Sequence, residues 1–228
     1  METVLITGAN RGLGLEFVHQ LLAQGFRVLA CCRDPEKAFA LQRIERPELK
    51  VLSLDVSDYY SIETLGFKIA EEEISLFINN AGIYGQIPQT LEDADPEDWE
   101  FVFRVNCIAP LLLTRLIKNF MPPAKSRRIV FLSSKMGSIT DNLGGGTYVY
   151  RSSKTALNQV MKSLSLDLAA EGFKVAALHP GWVRTDMGGP NGLIDPQESV
   201  AGMMKVIESL DERKNGRFIA YDGQEIPW

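Results

Sequence analysis

Seven short apolar runs, separated by stretches of helical periodicity, constrain the fold of this chain most. The runs occupy residues 3–7, 27–32, 49–54, 74–79, 127–133, 173–179 and 217–221. Strands that alternate with helices form right-handed βαβ crossovers, which build a parallel sheet covered by helices on both faces. We therefore predict an α/β fold with a doubly wound sheet of about seven parallel strands. In such sheets, ligands bind at the edge formed by the carboxyl ends of the strands.

Composition limits the number of domains and the kinds of partner. A chain of 228 residues, 45% of them hydrophobic, is long enough for one buried core and too short for an additional catalytic domain of ordinary size. We expect one domain, residues 1–228, that holds every functional site of the chain. The net charge of −5, with scattered basic residues, gives no electrostatic reason to expect nucleic acid or a membrane as partner.

The cysteines and histidines do not form a metal-binding pattern. The three cysteines include the adjacent Cys31 and Cys32, which suits reduced thiols better than a disulfide framework or a metal site. His19 and His179 fall within a helix and a strand, where structural roles are expected. Met1 leads directly into a strand, and no apolar run approaches the ~20 residues that span a bilayer, so we expect a cytoplasmic protein.

A glycine-rich turn follows the first apolar run. Residues 3–6 are typical of a strand, Gly8, Gly12 and Gly14 follow, and residues 15–22 have apolar positions at helical spacing. Glycines allow a sharp turn and a close approach of pyrophosphate, while the helix N-terminus offers free N–H groups and a favourable dipole. The segment predicts the nucleotide-binding turn of a Rossmann-type fold, although its G-x-x-x-G-x-G spacing differs from the G-x-G-x-x-G fingerprint.

Tyr150 and Lys154 form a candidate catalytic pair. Residues four apart lie on one face of a helix, so the Lys154 ammonium can approach the Tyr150 phenol or a ligand beside it. A free phenol has a pKa near ~10, and a nearby positive charge favours the phenolate. The pair could exchange a proton with a carbonyl or an alcohol. Taken alone, the same spacing also fits a structural pair.

Further motifs occur downstream of the glycine turn. They are Asp55 in Leu-Asp-Val, residues 79–82 (Asn-Asn-Ala-Gly), Asn106 in Val-Asn-Cys, Ser134 in Leu-Ser-Ser-Lys-Met-Gly, and residues 180–185 (Pro-Gly-Trp-Val-Arg-Thr). With the glycine turn and the Tyr-x-x-x-Lys pair, this order resembles the short-chain dehydrogenase/reductase family over essentially the whole chain. Residues 11–15, 32–35, 180–189 and 221–228 most resemble its sniffer/C-factor-like carbonyl reductase branch.

The resemblance implies a role for each member of the catalytic set Asn106, Ser134, Tyr150 and Lys154. Tyr150 would donate a proton to the carbonyl oxygen while Ser134 hydrogen-bonds that oxygen. Lys154 would bind the ribose and lower the tyrosine pKa, and Asn106 would hold a water that links Lys154 to solvent. Ser138 is an alternative catalytic serine, because the loop that leads to Tyr150 is long; Ser134 is preferred because it ends a strand.

The preference for NADP(H) over NAD(H) follows from the charges near the end of the second strand. Cys32 occupies the position where NAD-preferring enzymes place a carboxylate, while Arg33 and Arg11 could bind a 2′-phosphate. If the second strand ended two residues later, Asp34 would occupy the carboxylate position, and NAD(H) would be preferred over NADP(H). The residues expected to bind the cofactor are Gly8, Asn10, Arg11, Gly12, Leu13, Gly14, Arg33, Asp55, Val56, Asn80, Ala81, Gly82, Tyr150, Lys154, Pro180, Gly181, Val183 and Thr185.

The expected activity is NADPH-dependent reduction of an aldehyde, ketone or quinone to the alcohol. The segment from Thr185 to Pro196 offers few apolar side chains, which favours an open cleft and small or flat substrates. The alternative is a nucleotide-binding signalling or interaction protein with little turnover. The family resemblance also implies a homodimer or homotetramer, formed through the helices near residues 97–121 and 150–171.

Overall fold

The computed structural model describes all residues, 1–228, and contains one seven-stranded parallel sheet. Its strands are β1 (Thr3–Thr7), β2 (Arg27–Cys32), β3 (Leu49–Ser53), β4 (Ile74–Asn79), β5 (Arg128–Leu132), β6 (Lys174–His179) and β7 (Phe218–Ala220). The spatial order is β3-β2-β1-β4-β5-β6-β7, and every adjacent pair is parallel. The predicted doubly wound α/β fold is confirmed, and each strand end lies within about one residue of the predicted position.

Seven helices connect the strands. They are α1 (Gly12–Ala23), α2 (Phe39–Gln42), α3 (Tyr59–Lys68), α4 (Pro96–Phe103), α5 (Ala109–Ile117), α6 (Tyr148–Asp167) and α7 (Pro196–Glu208). A π-helical turn, Arg104–Ile108, joins α4 to α5. No helix combines the length and the hydropathy that a membrane span requires.

The sheet is buried on both faces, which explains why its strands read as continuous apolar runs. In β1, Leu5 faces a core of 26 buried residues shared with α3, α5 and α6. Its neighbours Val4 and Ile6 face a second core of 23 buried residues shared with α1 and α7. Both cores extend along the strands, so packing on both faces of the sheet holds the carboxyl ends of β1, β4, β5 and β6 at one edge.

Candidate active site

The glycine turn between β1 and α1 is folded tightly on itself. Gly8 and Gly12 adopt left-handed backbone conformations, with φ of 64° and 53°. A Cβ on Gly14 would overlap the Gly8 carbonyl oxygen, so only glycine fits there. Helix α1 begins without a side-chain cap and without an acidic residue in its first turn. Its first N–H groups are therefore available to an anion, and the turn fits a dinucleotide pyrophosphate.

Asn80 ties this turn to the end of β4. Its Nδ2 donates to the carbonyl oxygens of Thr7, at 2.8 Å, and of Gly8, at 3.0 Å. The backbone N–H groups of Asn80 and Ala81 both donate to the Thr7 hydroxyl. The Asn80 side chain, predicted from sequence to bind the cofactor, thus shapes the turn in which the cofactor would lie.

Strand β2 ends at the residue predicted from the sequence, and charged side chains come directly after it. The strand ends at Cys32, and the Arg33 side chain next to it is exposed and makes no ion pair or hydrogen bond. Asp34 lies beyond the strand and pairs with Lys37 at 2.6 Å, a hydrogen bond that holds the pKa of its carboxyl below the usual range. Arg11 lies exposed in the glycine turn, 3.2 Å from Asp186.

The remaining predicted cofactor residues lie after the ends of other strands. Following β3, Asp55 accepts hydrogen bonds from the Ser57 N–H and hydroxyl at 2.9 and 2.7 Å, and Val56 is partly buried against the core. Following β6, Gly181 has a φ of 85°, and a Cβ there would also crowd Ile194 and Tyr221. The other members of the predicted set are Asn10, Leu13, Pro180, Val183 and Thr185, on the segments that follow β1 and β6.

The catalytic candidates meet where α6 passes the end of β5. Tyr150 and Lys154 are only 7% and 5% exposed. Ser134 lies beside the Tyr150 phenol, near enough to lower the pKa of that phenol, and the Ser134 Oγ accepts from the Met136 N–H at 3.1 Å. Ser138, the alternative serine, is buried in the following loop and accepts from the Asp141 N–H at 3.1 Å. The structure brings Ser134, and not Ser138, to the phenol.

Burial has the largest effect on the pKa values of both Tyr150 and Lys154. Desolvation raises the pKa of Tyr150 to about 12, although the hydrogen bond from Ser134 acts in the opposite direction. Desolvation also lowers the pKa of Lys154 to about 8. The Lys154 ammonium donates to the Leu132 carbonyl at 2.9 Å and lies 5.7 Å from the centre of the Tyr150 ring. The expected depression of the Tyr150 pKa by Lys154 is not found in the protein alone, where desolvation has the largest effect and Ser134 provides the opposing one.

Asn106 lies in the π-helical turn, a local distortion that is frequent at functional sites. Its Oδ1 accepts from the Ile83 N–H at 2.9 Å, and its Nδ2 donates to the Ile83 carbonyl at 2.8 Å and to the Ser153 hydroxyl at 3.0 Å. A Cβ on Gly82 would lie 3.2 Å from Asn106 Oδ1 and 3.4 Å from Lys154 Nζ. The Asn106 side chain thus holds the segment after β4 against the catalytic helix.

Gln89 is a buried residue of this site that the sequence analysis missed. Helix α6 starts after Thr147, which has a φ of 52° and provides no side-chain cap. Gln89 replaces the cap from a distant loop, because its Oε1 accepts from the Tyr150 N–H at 2.9 Å. Its Nε2 donates to the carbonyl oxygens of Tyr84 and Gln86 at 2.9 and 3.0 Å. No local motif marks this contact, which joins residues 61 positions apart.

Tyr84 was also missed. Its ring stacks on the Tyr150 ring with centroids 4.6 Å apart and planes 29° apart. Tyr84 lies two residues beyond the Asn-Asn-Ala-Gly segment, and this short distance was the one available signal.

Comparisons with known proteins show the family to which the chain belongs. A family model described as short chain dehydrogenase matches residues 2–193. The C-signal of Myxococcus xanthus is 43% identical over 155 residues, which are 68% of this chain and 93% of that protein. The carbonyl reductase Sniffer of D. melanogaster has a TM-score of 0.93 and 31% identity, with 100% of both chains covered. An NADPH-bound carbonyl reductase from chicken fatty liver has a TM-score of 0.91 and 37% identity, with 100% of this chain and 99% of that chain covered. The chain belongs to the short-chain dehydrogenase/reductase family of oxidoreductases.

Proposed function

We propose that this protein is an NADPH-dependent carbonyl reductase that converts an aldehyde, ketone or quinone to the alcohol. The observation that carries the proposal is the buried pair Tyr150 and Lys154, with Ser134 beside the phenol, at the same sheet edge as the uncapped N-terminus of α1. An anion-binding turn and a proton donor at one edge are the two parts that hydride transfer to a carbonyl needs.

Each side chain has a definite task in that reaction. When bound, the reduced nicotinamide supplies the hydride that adds to the carbonyl carbon and is itself oxidised. Tyr150, whose pKa of about 12 keeps the phenol protonated at neutral pH, gives its proton to the carbonyl oxygen, so that C=O becomes CH–OH. Ser134 hydrogen-bonds the same oxygen as negative charge develops there. Lys154 stabilises the phenolate that remains after proton transfer.

The preference for NADPH rests on the charges after β2. Arg33 is exposed and unpaired, and Arg11 is held only by an exposed ion pair with Asp186, which contributes little. Two guanidinium groups can therefore bind a 2′-phosphate with charge-assisted hydrogen bonds. Asp34, which would repel that phosphate, is already paired with Lys37. The NADP-bound relatives support the same choice.

Two substitutions test the proposal. Tyr150→Phe removes only the phenolic hydroxyl, so we expect loss of carbonyl reduction with NADPH affinity retained, measured by nicotinamide absorbance and by fluorescence titration. Arg33→Ala should weaken NADPH binding about tenfold or more and NADH binding little, because only NADPH carries the 2′-phosphate. Equal losses for both cofactors would contradict the phosphate assignment, and reduction at the wild-type rate by Tyr150→Phe would contradict the catalytic one.

A second candidate function is nucleotide-dependent signalling with little turnover. The observation that favours it is the 43% identity to the C-signal of Myxococcus xanthus. A binding role should survive Tyr150→Phe, since the glycine turn is unchanged, whereas a catalytic role should not. Cofactor binding without reduction of any compound in a panel of aldehydes, ketones and quinones would favour this second function.

We also propose that the protein self-associates through the α4–α5 region. Phe101, Ile108 and Leu111 are large apolar side chains there, and each is more than 40% exposed. Ile108→Lys should shift the protein toward monomer in light scattering if this surface forms the interface. An unchanged mass would contradict that interface.

A further inference from the structure

His179, the last residue of β6, contacts the turn that carries Ser134. Its ring is partly buried, and its Nδ1 accepts a hydrogen bond from the Lys135 N–H at 3.2 Å. The bond joins residues 44 positions apart. Lys135 comes directly after Ser134, so a side chain of β6 reaches the backbone of the turn that holds the candidate catalytic serine.

The peptide group between Ser134 and Lys135 is held at both of its polar atoms. Its carbonyl oxygen, which belongs to Ser134, accepts from the Gly137 N–H at 2.7 Å. Its N–H, which belongs to Lys135, donates to His179. A peptide group with both atoms bonded cannot rotate without breaking a hydrogen bond, so the backbone that carries the Ser134 side chain is fixed.

The residue before Ser134 is also tied to β6. The Ser133 N–H donates to the Leu178 carbonyl oxygen at 2.8 Å, which extends the pairing of β5 with β6 by one residue. Ser134 therefore lies between two N–H groups that both donate to β6. Of these two bonds, only the one to His179 depends on a side chain, and a substitution can remove it.

His179 can accept this bond because its ring is neutral. Partial burial and the charge of Lys135 lower the pKa of His179 to about 4, although Asp222 acts in the opposite direction. A neutral imidazole has one nitrogen that accepts and one that donates. Nδ1 therefore remains an acceptor at neutral pH, with the ring proton on Nε2.

The same bond leaves the Ser134 hydroxyl free to act. A hydroxyl has one proton to donate and two lone pairs that accept. One lone pair of Ser134 accepts from the Met136 N–H at 3.1 Å. Because the Lys135 N–H donates to His179, the proton and the second lone pair of Ser134 are available to Tyr150 and to a carbonyl oxygen.

We propose that His179 is a positioning residue, which holds the turn after β5 so that the Ser134 hydroxyl is directed at the oxygen that receives the Tyr150 proton. The proposal rests on the proposed carbonyl reductase function. His179 acts through Ser134, and its own ring takes no part in proton or hydride transfer.

The test measures kcat and KM with NADPH and the compound that the wild type reduces fastest in a panel of aldehydes, ketones and quinones. His179→Leu removes the acceptor, so kcat should fall about tenfold or more, as expected for displacement of a catalytic group by up to about 1 Å. His179→Asn keeps an oxygen near the position of Nδ1 and should recover most of kcat. His19→Leu is the matched control, because His19 is the only other histidine and is exposed on α1.

A double-mutant cycle with Ser134→Ala separates a positioning role from a general effect on the structure. If His179 acts through Ser134, then His179→Leu should lower kcat by less than about twofold in protein that already carries Ser134→Ala, measured in single turnovers. The same loss in both backgrounds overturns the proposal. Wild-type kcat in His179→Leu, or equal losses in His179→Leu and His179→Asn, also overturns it.

Hydrogen exchange of the Lys135 amide, followed by NMR, tests the contact without turnover. The amide should exchange about tenfold or more slowly than in an unstructured peptide in the wild type and in His179→Asn, and lose this protection in His179→Leu. An unprotected Lys135 amide in the wild type, or protection retained in His179→Leu, overturns the proposal. If the wild type reduces no compound in the panel, the proposed function fails, and these exchange rates alone decide whether His179 holds the serine turn.

Discussion

Gln89→Leu should separate the placement of Tyr150 from the binding of cofactor. Leucine has a similar volume to glutamine and no hydrogen-bonding group. The substitution removes the acceptor of the Tyr150 N–H, at 2.9 Å, and the donor to two loop carbonyls, at 2.9 and 3.0 Å. Because Thr147 supplies no cap, α6 is left with an unpaired N–H at the catalytic residue itself.

The size of the effect follows from these contacts. Loss of a helix cap costs about 0.5–2 kcal/mol, and each carbonyl that water can reach adds about 0.5 kcal/mol. A total of roughly 1.5–3 kcal/mol corresponds to a Tm lower by about 3–12 °C for a chain of this length. Displacement of the Tyr150 hydroxyl by a fraction of an ångström to about 1 Å should lower kcat about 10- to 100-fold.

Thermal unfolding by circular dichroism, steady-state kinetics and NADPH titration measure these effects together. We expect the NADPH Kd to stay within about twofold, because the glycine turn has no contact with Gln89. Gln89→Glu keeps the acceptor for Tyr150 and should recover part of kcat. Gln159→Leu is the control, since Gln159 is exposed on the same helix and bonds only Ser163. A lower Tm with wild-type kcat, or equal losses of kcat and NADPH affinity, would refute the reasoning.

Three other predictions concern titration and the glycine turn. Burial lowers the pKa of Lys154 to about 8, so kcat/KM for reduction should fall through an apparent pKa near 8 as the ammonium loses its charge; a flat pH profile would exclude this role. Burial lowers the pKa of His179 to about 4, so protonation of this side chain disfavours the folded state. The free energy of unfolding should therefore be highest above about pH 6.5 and fall by up to about 3 kcal/mol as the pH falls toward 4. His179→Gln should flatten that dependence in denaturant titrations, and an unchanged slope would count against it. Gly14→Ala should destabilise the fold and weaken NADPH binding, because its Cβ overlaps the Gly8 carbonyl, whereas Gly144→Ala, with open space around it, should do neither in the same titrations.

The strands were predictable because their signal is local. Each strand is a short apolar run, because helices cover both faces of the sheet. In β1 and β4, for example, every residue is buried. The same local signal located the end of β2 at Cys32, on which the argument for NADPH depends. The glycine turn was predictable for a related reason, since its shape depends on three glycines, Gly8, Gly12 and Gly14, that lie within seven consecutive residues.

The contacts around Tyr150 were not predictable in the same way. Gln89 and Tyr84 lie in a loop of mixed composition, and nothing in that loop marks a partner in α6. Their roles depend on the contact between the loop after β4 and the start of α6. That contact forms only when the helices and strands around it have packed. The Tyr150 pKa likewise depends on how completely other parts of the chain cover the phenol.

The sequence by itself determined the family, the parallel sheet and the residues that meet at its carboxyl edge, because all three follow from short-range patterns repeated in a fixed order. The tertiary structure alone decided that Ser134 lies beside the Tyr150 phenol, that Gln89 caps the catalytic helix, and that an apolar cavity forms between the loop after β4 and the start of α6. The physical reason is that hydrogen bonds, desolvation and cavities arise between segments distant in sequence, whose separation is set only when the core has packed.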